Sequence, residues 1–172
     1  VYVDLPYSMV NKTYTKLHRT VSGTIDSALD MKTLKIHWIG GLENYNIQEI
    51  IDVFHLSSEK TELVKRKKLL VDFKTYSQYE NVADDSGDAE MKRTVKLIEK
   101  YDNSLPRSIE ILRKNEMKDE SLADVVIGTA HRAKGLEWDT VRLASDFTDL
   151  LDQEIDMTPQ EMGDELNLLY VA

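Results

Sequence analysis

Residues 124–141 read DVVIGTAHRAKGLEWDTV, and this stretch decides the fold class. Its β-branched run at 125–127 ends in a glycine and a threonine, a pattern typical of a strand buried in a parallel sheet. A loop with a histidine, a lysine, a glycine and a glutamate follows, and Val141 begins a second apolar run that predicts a similar strand. Because ligands bind beyond the carboxyl ends of parallel strands, we expect a ligand site in this loop.

Strands and helices also alternate on either side of this stretch. The residue pattern predicts strands at 14–20 and 34–39, with a short helix at 22–30 between them. Thr158 and Pro159 predict the start of a last helix, because threonine caps helices and proline favours their first position. This alternation predicts an α/β fold, with a parallel sheet flanked by helices. We expect the last helix to bury Met162, Leu166 and Leu169.

The middle of the chain has a helical and more polar pattern. Just before this region, Asn46 and Glu49 predict a capping box at the start of a helix. Within it, the acidic run at 84–88 predicts a linker before a helix at 89–101. We therefore expect residues 1–56 and 123–172 to form the α/β unit and residues 57–122 to form a mainly helical insertion.

Composition narrows the class of protein. The chain has 172 residues, of which 41% are hydrophobic and 31% charged, as expected for one globular domain or slightly more. It contains no cysteine, which excludes disulfides and thiolate metal sites and fits a reducing compartment. No signal-peptide pattern opens the sequence. No apolar run approaches the roughly 20 residues of a membrane span, so we expect no membrane partner.

The net charge of −9 at first disfavours nucleic acid as a partner, but its distribution weakens that objection. Nine acids and one base lie between Asp139 and Glu165, so the rest of the chain is nearly neutral. The basic run at 65–68 is a candidate phosphate-binding surface, and a solvated helix face is the alternative.

The loop after the buried strand carries groups that suit a phosphate and a sugar. Thr129 offers a hydroxyl, Lys134 a mobile positive charge, and Gly135 a backbone that turns tightly. Glu137 can accept hydrogen bonds from sugar hydroxyls, and we expect Trp138 to anchor the loop in the core. From these residues alone, the loop predicts a phosphate-and-sugar site of modest specificity.

Three stretches resemble motifs of the superfamily 1A DNA helicases, the UvrD/Rep group. TAHRAKGLEWDTV at 129–141 resembles motif V, and ELNLLYVA at 165–172 resembles the start of motif VI. LHRT at 17–20, IHWIGG at 36–41 and EIIDVF at 49–54 are similar to the region around motif IV. The residues of these stretches are most similar to those of the F-box DNA helicase branch and its bacterial relatives.

The resemblance implies the second RecA-like domain (2A) of an ATP-driven, 3′-to-5′ motor on single-stranded DNA, acting in repair or recombination. The helical insertion would be a 2B-like subdomain. ATP with Mg²⁺ would lie between this domain and the first RecA-like domain of the same polypeptide, which would hold most of the metal's ligands. Such a protein would be cytoplasmic and nucleoid-associated in a bacterium, or nuclear in a eukaryote.

The resemblance assigns nucleotide contacts to four residues. Arg19 matches the motif IV arginine that meets the γ-phosphate and is the candidate catalytic residue, with a surface arginine as the alternative. Lys134 and Gly135 match the motif V segment near the triphosphate, and Glu137 matches the ribose contact; a solvated surface charge is the alternative for Lys134 and for Glu137. Val21 stands where the family usually has asparagine.

The resemblance assigns DNA contacts to five residues, each with a structural alternative. Gly40 and Gly41 match a glycine pair that DNA approaches closely, where a plain turn is the alternative. Tyr45 stands where an aromatic could stack on a base, with core packing as its rival. Thr129 matches a phosphate contact or a strand-end cap, and His131 a DNA contact between the strand and ATP or a structural histidine.

Two other classes of function compete with the helicase interpretation. A degenerate RecA-like module could serve as a non-catalytic interaction domain, with the acidic stretch 139–165 as its docking surface. An enzyme acting on a small phosphorylated metabolite is a third possibility. The combination of Arg19, Lys134 and Glu137 favours the helicase, because an interaction module needs no such set of nucleotide-facing charges.

The purified 172-residue chain is expected to show no ATP turnover. Its sequence contains no GxxxxGK[ST] phosphate loop, which the family carries on the first RecA-like domain. A phosphate-release assay with and without single-stranded DNA checks this, and turnover above that of a heat-denatured sample would contradict it.

Overall fold

The computed structural model describes residues 13–147 and 158–171, with side chains described as far as residue 167 in the second range. Within these ranges, four strands form one parallel sheet, in the spatial order second, third, first, fourth. In chain order they are β1 (Tyr14–His18), β2 (Ile36–Trp38), β3 (Val125–Thr129) and β4 (Val141–Leu143).

The helices of the described ranges cover this sheet and pack on one another, which confirms the predicted α/β class. None of them is long and apolar enough to cross a membrane. In chain order they are α1 (Val21–Asp30), α2 (Ile47–Ser57), α3 (Lys67–Asp72), α4 (Tyr76–Ser86), α5 (Ala89–Tyr101), α6 (Leu105–Asn115), α7 (Ala130–Ala133) and α8 (Pro159–Val171).

The strand β3 lies in the interior of the sheet, as its β-branched sequence predicts. All of its residues are buried, and it pairs with β1 on one side and β2 on the other. The register places His18 of β1 opposite Thr129, so both strands end at the same level. The loops that follow β1 and β3 therefore start side by side.

The strand β4 is less buried than the sequence suggests. Among the described residues it pairs only with β1, and Val141 and Leu143 keep 39% and 49% of their surface exposed. The prediction of a second fully buried strand is therefore wrong. Apolar character alone does not distinguish an interior strand from the outer strand of a sheet.

The helices of residues 57–122 share a hydrophobic core with the α/β unit. Leu97 of α5 and Leu112 of α6 lie in the same buried cluster as Ile25 of α1. The ammonium group of Lys100 in α5 also lies 2.7 Å from Asp26 and 2.9 Å from Asp30 of α1. The division at 57 and 122 stays a prediction, and no break in the core marks it.

The predicted helix caps can be compared with the helix ends in the structure. Asn46 has a left-handed backbone (φ 49°) and its side chain makes no capping bond, so the predicted capping box there is wrong. The run at 84–88 is a helix junction, in which Gly87 ends α4 and Asp88 caps α5 by accepting from the Met91 N–H at 2.9 Å. Thr158 and Glu161 form the reciprocal hydrogen bonds of a capping box at the start of α8.

The helix α8 presents a different face to the core than its apolar residues predict. Met162 and Leu166 remain 41% and 54% exposed, so their predicted burial is wrong, while Glu165 is only 7% exposed. The side chain of Leu169 lies outside the described residues. The helix turns a carboxylate inward because a guanidinium group meets it there.

Gly128→Ala is expected to destabilise the 172-residue chain by roughly 1–3 kcal/mol through overpacking. A Cβ at residue 128 would lie 2.8 Å from Ile39 Cδ1 and 2.9 Å from the Tyr45 hydroxyl. Gly163→Ala is the control, because a Cβ there meets nothing within 4 Å and a helical alanine gains up to about 1 kcal/mol over glycine. Urea unfolding measures both, and equal stability of the two variants would contradict the close packing at Gly128.

Candidate functional site

The candidate residues lie at one edge of the sheet, because parallel strands end on the same side. Gly40 and Gly41 follow β2, Thr129 ends β3, and Arg19 follows β1. Residues 131–137 leave β3 through the short helix α7. The sheet order β2, β3, β1, β4 therefore places the loops that carry these residues next to one another.

Arg19 is engaged by a carboxylate of α8. Its Nε lies 3.0 and 3.1 Å from the two carboxylate oxygens of Glu165, and its Nη2 also donates to Glu165. The hydrogen bonds to Glu165 raise the pKa of Arg19 above its ordinary value. Because the arginine side chain stays 28% exposed, one side of the pair faces solvent. A phosphate ligand would compete with Glu165 for this guanidinium.

The backbone of the Arg19 turn is held by Asp146, a residue that the sequence analysis did not single out. Its carboxylate accepts hydrogen bonds from the Arg19 N–H (3.2 Å), the Thr20 N–H (3.1 Å) and the Thr20 hydroxyl (2.8 Å). The buried His18 Nδ1 lies 3.3 Å from the same group. Burial by itself would raise the pKa of Asp146, but His18 and Thr20 outweigh it and hold the pKa well below its ordinary value.

A second distant carboxylate satisfies the next amides of α1. Glu90, in α5, accepts from the Val21 N–H and the Ser22 N–H, both at 2.7 Å. The Thr20 hydroxyl accepts from the Gly23 N–H at 3.0 Å. These groups fill the anion-attracting amino terminus of α1 with protein side chains. No local sequence signal identifies Glu90 or Asp146, because each lies about 70 or more residues from α1.

The loop after α7 presents two charged groups to solvent. Lys134 and Glu137 are both exposed, and Gly135 between them has φ +82°, a conformation that favours glycine. Among the described residues, neither charged group has an ion-pair or hydrogen-bond partner. The loop can therefore offer an ammonium and a carboxylate to a ligand without breaking a contact within the described part of the chain.

A cleft of about 500 Å³ opens beside the Arg19 turn. Arg19 and the exposed His131 both line it, and Gly87 and Glu90 of the helical segment form another part of its wall. The Thr129 residue is buried, so its hydroxyl is less accessible than the predicted phosphate contact requires. The structure thus places Arg19 and His131 on the same cleft, whereas Thr129 is buried and does not line it.

The remaining candidates for DNA contacts, Gly40, Gly41 and Tyr45, follow β2 and differ in their surroundings. Gly40 and Gly41 have φ +80° and +85°, so this turn needs glycine-like backbone freedom. Tyr45 is fully buried, donates its hydroxyl to the Ile39 carbonyl at 2.9 Å, and has the Arg132 guanidinium 4.7 Å from its ring centre. Because the Tyr45 ring is fully buried, neither of its faces is open to a base. The base-stacking prediction for Tyr45 is therefore corrected to core packing.

Trp138 has the packing role expected of it, although it is only half-buried. It packs against a small core cluster that contains Leu17 and Val126, and its indole N–H donates to Glu120 at 2.8 Å. This contact fixes the end of the loop that carries Lys134 and Glu137.

No metal-binding cluster is found within residues 13–147 and 158–171, where no three histidine or acidic side chains group suitably.

Comparison with known proteins finds a matching family and similar proteins, among them the two named below. The family model for the UvrD-like helicase C-terminal domain matches residues 8–172. F-box DNA helicase 1 of Gallus gallus is 33% identical over 159 residues, which cover 82% of this chain and 15% of the relative. F-box DNA helicase protein 1 of Schizosaccharomyces pombe is 37% identical over 60 residues, covering 33% of this chain and 7% of the relative.

The chain thus matches only a small part of the length of these two relatives. No solved structure matches it. The similarity to the chicken protein extends over most of the chain.

Asp146 is expected to make the chain sensitive to acid. A carboxyl group whose pKa is lowered by folding stabilises the native state above its unfolded pKa, for which 3.8 is the ordinary value. That stabilisation is lost as the pH falls through 3.8 towards the lower folded pKa. Asp146→Asn should therefore flatten the decline of the unfolding free energy below about pH 5, measured by urea unfolding at several pH values. An unchanged pH profile would contradict the charge assigned to this group.

Proposed function

The chain belongs to the UvrD-like helicase C-terminal domain family, and from this membership we propose that it is the second RecA-like domain of an ATP-dependent 3′-to-5′ DNA helicase or translocase. The isolated chain would supply half of a nucleotide site. The other half, with the phosphate loop, would come from a first RecA-like domain of the same polypeptide.

The observation that carries this proposal is the loop after α7. Lys134 and Glu137 are exposed on either side of the Gly135 turn, at the carboxyl edge of a parallel sheet. An ammonium suits a phosphate oxygen, and a carboxylate suits the hydroxyls of a ribose. Because neither group is used inside the described part of the chain, both are available to a nucleotide held against a second domain.

Arg19 would act on the γ-phosphate from the neighbouring loop. Its guanidinium already binds a carboxylate in bidentate fashion, and a phosphate oxygen pair presents a similar geometry. ATP with Mg²⁺ supplies the triphosphate that is hydrolysed, and the metal would be bound mainly by residues of the first RecA-like domain. The role of Arg19 would be to stabilise charge that develops on the phosphoryl oxygens.

Single-stranded DNA would cross the same edge of the sheet. Gly40 and Gly41 allow close approach of a phosphate backbone to the loop after β2, and His131 lines the Arg19 cleft. Thr129 would contribute through its backbone more readily than through its buried hydroxyl. Tyr45 is left out of the DNA surface because it belongs to the core.

Opening and closing of the cleft between the two RecA-like domains would move the protein along DNA, in repair or recombination. Residues 57–122 would be the counterpart of the 2B subdomain, with 1–56 and 123–172 as domain 2A. Such a protein works where DNA is, at the nucleoid of a bacterium or in the nucleus of a eukaryote.

One observation supports a second candidate, a non-catalytic RecA-like module. Glu165 occupies the Arg19 guanidinium, so the catalytic candidate is satisfied inside the chain. If this pair never opened, the domain would serve as a structural or protein-interaction module. The exposed Lys134 and Glu137 favour the helicase, since such a module has no use for them.

Lys134→Ala and Glu137→Ala are expected to lower DNA-stimulated ATP hydrolysis roughly a hundredfold or more, because each removes a nucleotide contact. The measurement requires the polypeptide that carries both RecA-like domains. Lys114→Ala and Glu62→Ala are matched controls, since both are exposed side chains in the helical segment. Variants of Lys134 and Glu137 that hydrolyse ATP as fast as these controls would remove the proposed site.

A further inference from the structure

We propose that Asp146 and Glu90 are positioning residues that fix the Arg19 turn for its contact with the nucleotide. The inference rests on the proposed role of Arg19 and deepens it, because it states what holds that arginine in place. Neither carboxylate touches the ligand in this scheme. Both act through the backbone of residues 19–22.

Asp146 determines the geometry of the turn itself. One carboxylate accepts from two consecutive amides and from the Thr20 hydroxyl, which fixes the peptide planes on both sides of Arg19. The side chain of Asp146 is almost fully buried, and His18 faces it from β1. Hydrogen bonds to a charged acceptor are stronger than those between neutral groups, so this one carboxylate restrains the turn strongly.

The chain makes room for this carboxylate at Gly23. A Cβ at that position would lie 2.3 Å from the Asp146 Oδ2 and 2.7 Å from the Thr20 hydroxyl. No side chain other than hydrogen fits there without moving Asp146. Residue 23 is therefore a glycine because the Asp146 carboxylate packs against it. It lies within α1, so neither a turn nor a positive φ requires glycine there.

Glu90 connects the same turn to the helical segment. It accepts from the amides of Val21 and Ser22, and the Ser22 hydroxyl lies 2.6 Å from that of Thr94, one turn further along α5. Movement of α5 would therefore move the amino terminus of α1 and the arginine before it. A displacement of the helical segment would therefore be transmitted to the nucleotide site through this contact.

This arrangement separates the fixed and the exchangeable contacts of Arg19. Its backbone is bound by Asp146, whereas its side chain is bound by Glu165 and faces the cleft. The guanidinium can exchange Glu165 for a phosphate while the backbone that carries it stays in place. A preorganised arginine of this kind costs little reorganisation when charge develops on the phosphate.

The test is a double-mutant cycle in the polypeptide that carries both RecA-like domains, measured as kcat and KM for ATP at saturating DNA. Asp146→Asn and Glu90→Gln are each expected to lower kcat roughly tenfold to a hundredfold, as misplacement of a catalytic group does. Combining either with Arg19→Ala should leave kcat within about twofold of Arg19→Ala alone, because the lost contact acts through Arg19.

A control variant distinguishes positioning from general loss of stability. Asp52 is also a fully buried carboxylate that accepts from two consecutive amides, those of Lys65 (3.0 Å) and Arg66 (2.7 Å), but it lies in α2. Asp52→Asn should lower the midpoint of thermal unfolding and leave kcat unchanged. Glu90→Gln keeps the test decisive if Asp146→Asn does not fold.

The outcomes separate this inference from the proposed function. If Arg19→Ala leaves ATP hydrolysis unchanged, the proposed role of Arg19 is wrong and the inference falls with it. If Arg19→Ala is inactive but Asp146→Asn and Glu90→Gln retain full kcat, or lose activity additively with Arg19→Ala, the positioning role is overturned while the role of Arg19 stands.

Discussion

The amino terminus of α1 is the constraint on which the rest of the site depends. Its first amides point to the carboxyl edge of the sheet, where a buried helix end without acceptors would be costly. Asp146 and Glu90 supply those acceptors from segments that are distant in sequence. A helix that begins in this way cannot also bind an anion at its first turn. The phosphate contact proposed for Arg19 would therefore be made by its side chain and not by the amides of α1.

The same contacts explain why the helical segment belongs to the core and is not a loosely attached lobe. Glu90 and Lys100 both join α5 to α1, one at each end of the contact between these helices. Apolar residues of α5 and α6 fill the space between these points. The segment 57–122 is thus bound to the part of the fold that positions Arg19.

The orientation of α8 follows from the arginine rather than from its own apolar residues. The Arg19 guanidinium needs a partner at this depth, and Glu165 supplies it, which turns Met162 and Leu166 towards solvent. An exposed apolar face next to the proposed nucleotide site is also what a domain that packs against a second RecA-like domain would present.

Residues close together in sequence made most of the fold and part of the site predictable. The β-branched run of β3, the helix at 89–101 and the capping box of Thr158 and Glu161 depend on neighbours within a few residues, so their pattern alone determines them. Their closeness in sequence likewise brings Lys134, Gly135 and Glu137 into one loop whatever surrounds it. Tertiary structure alone decided that Tyr45 is buried, that β4 pairs only with β1 among the described strands and that Glu165 meets Arg19. It also decided that Asp146 and Glu90 hold the Arg19 turn, because those contacts join residues about 70 to 146 positions apart and no local pattern records them.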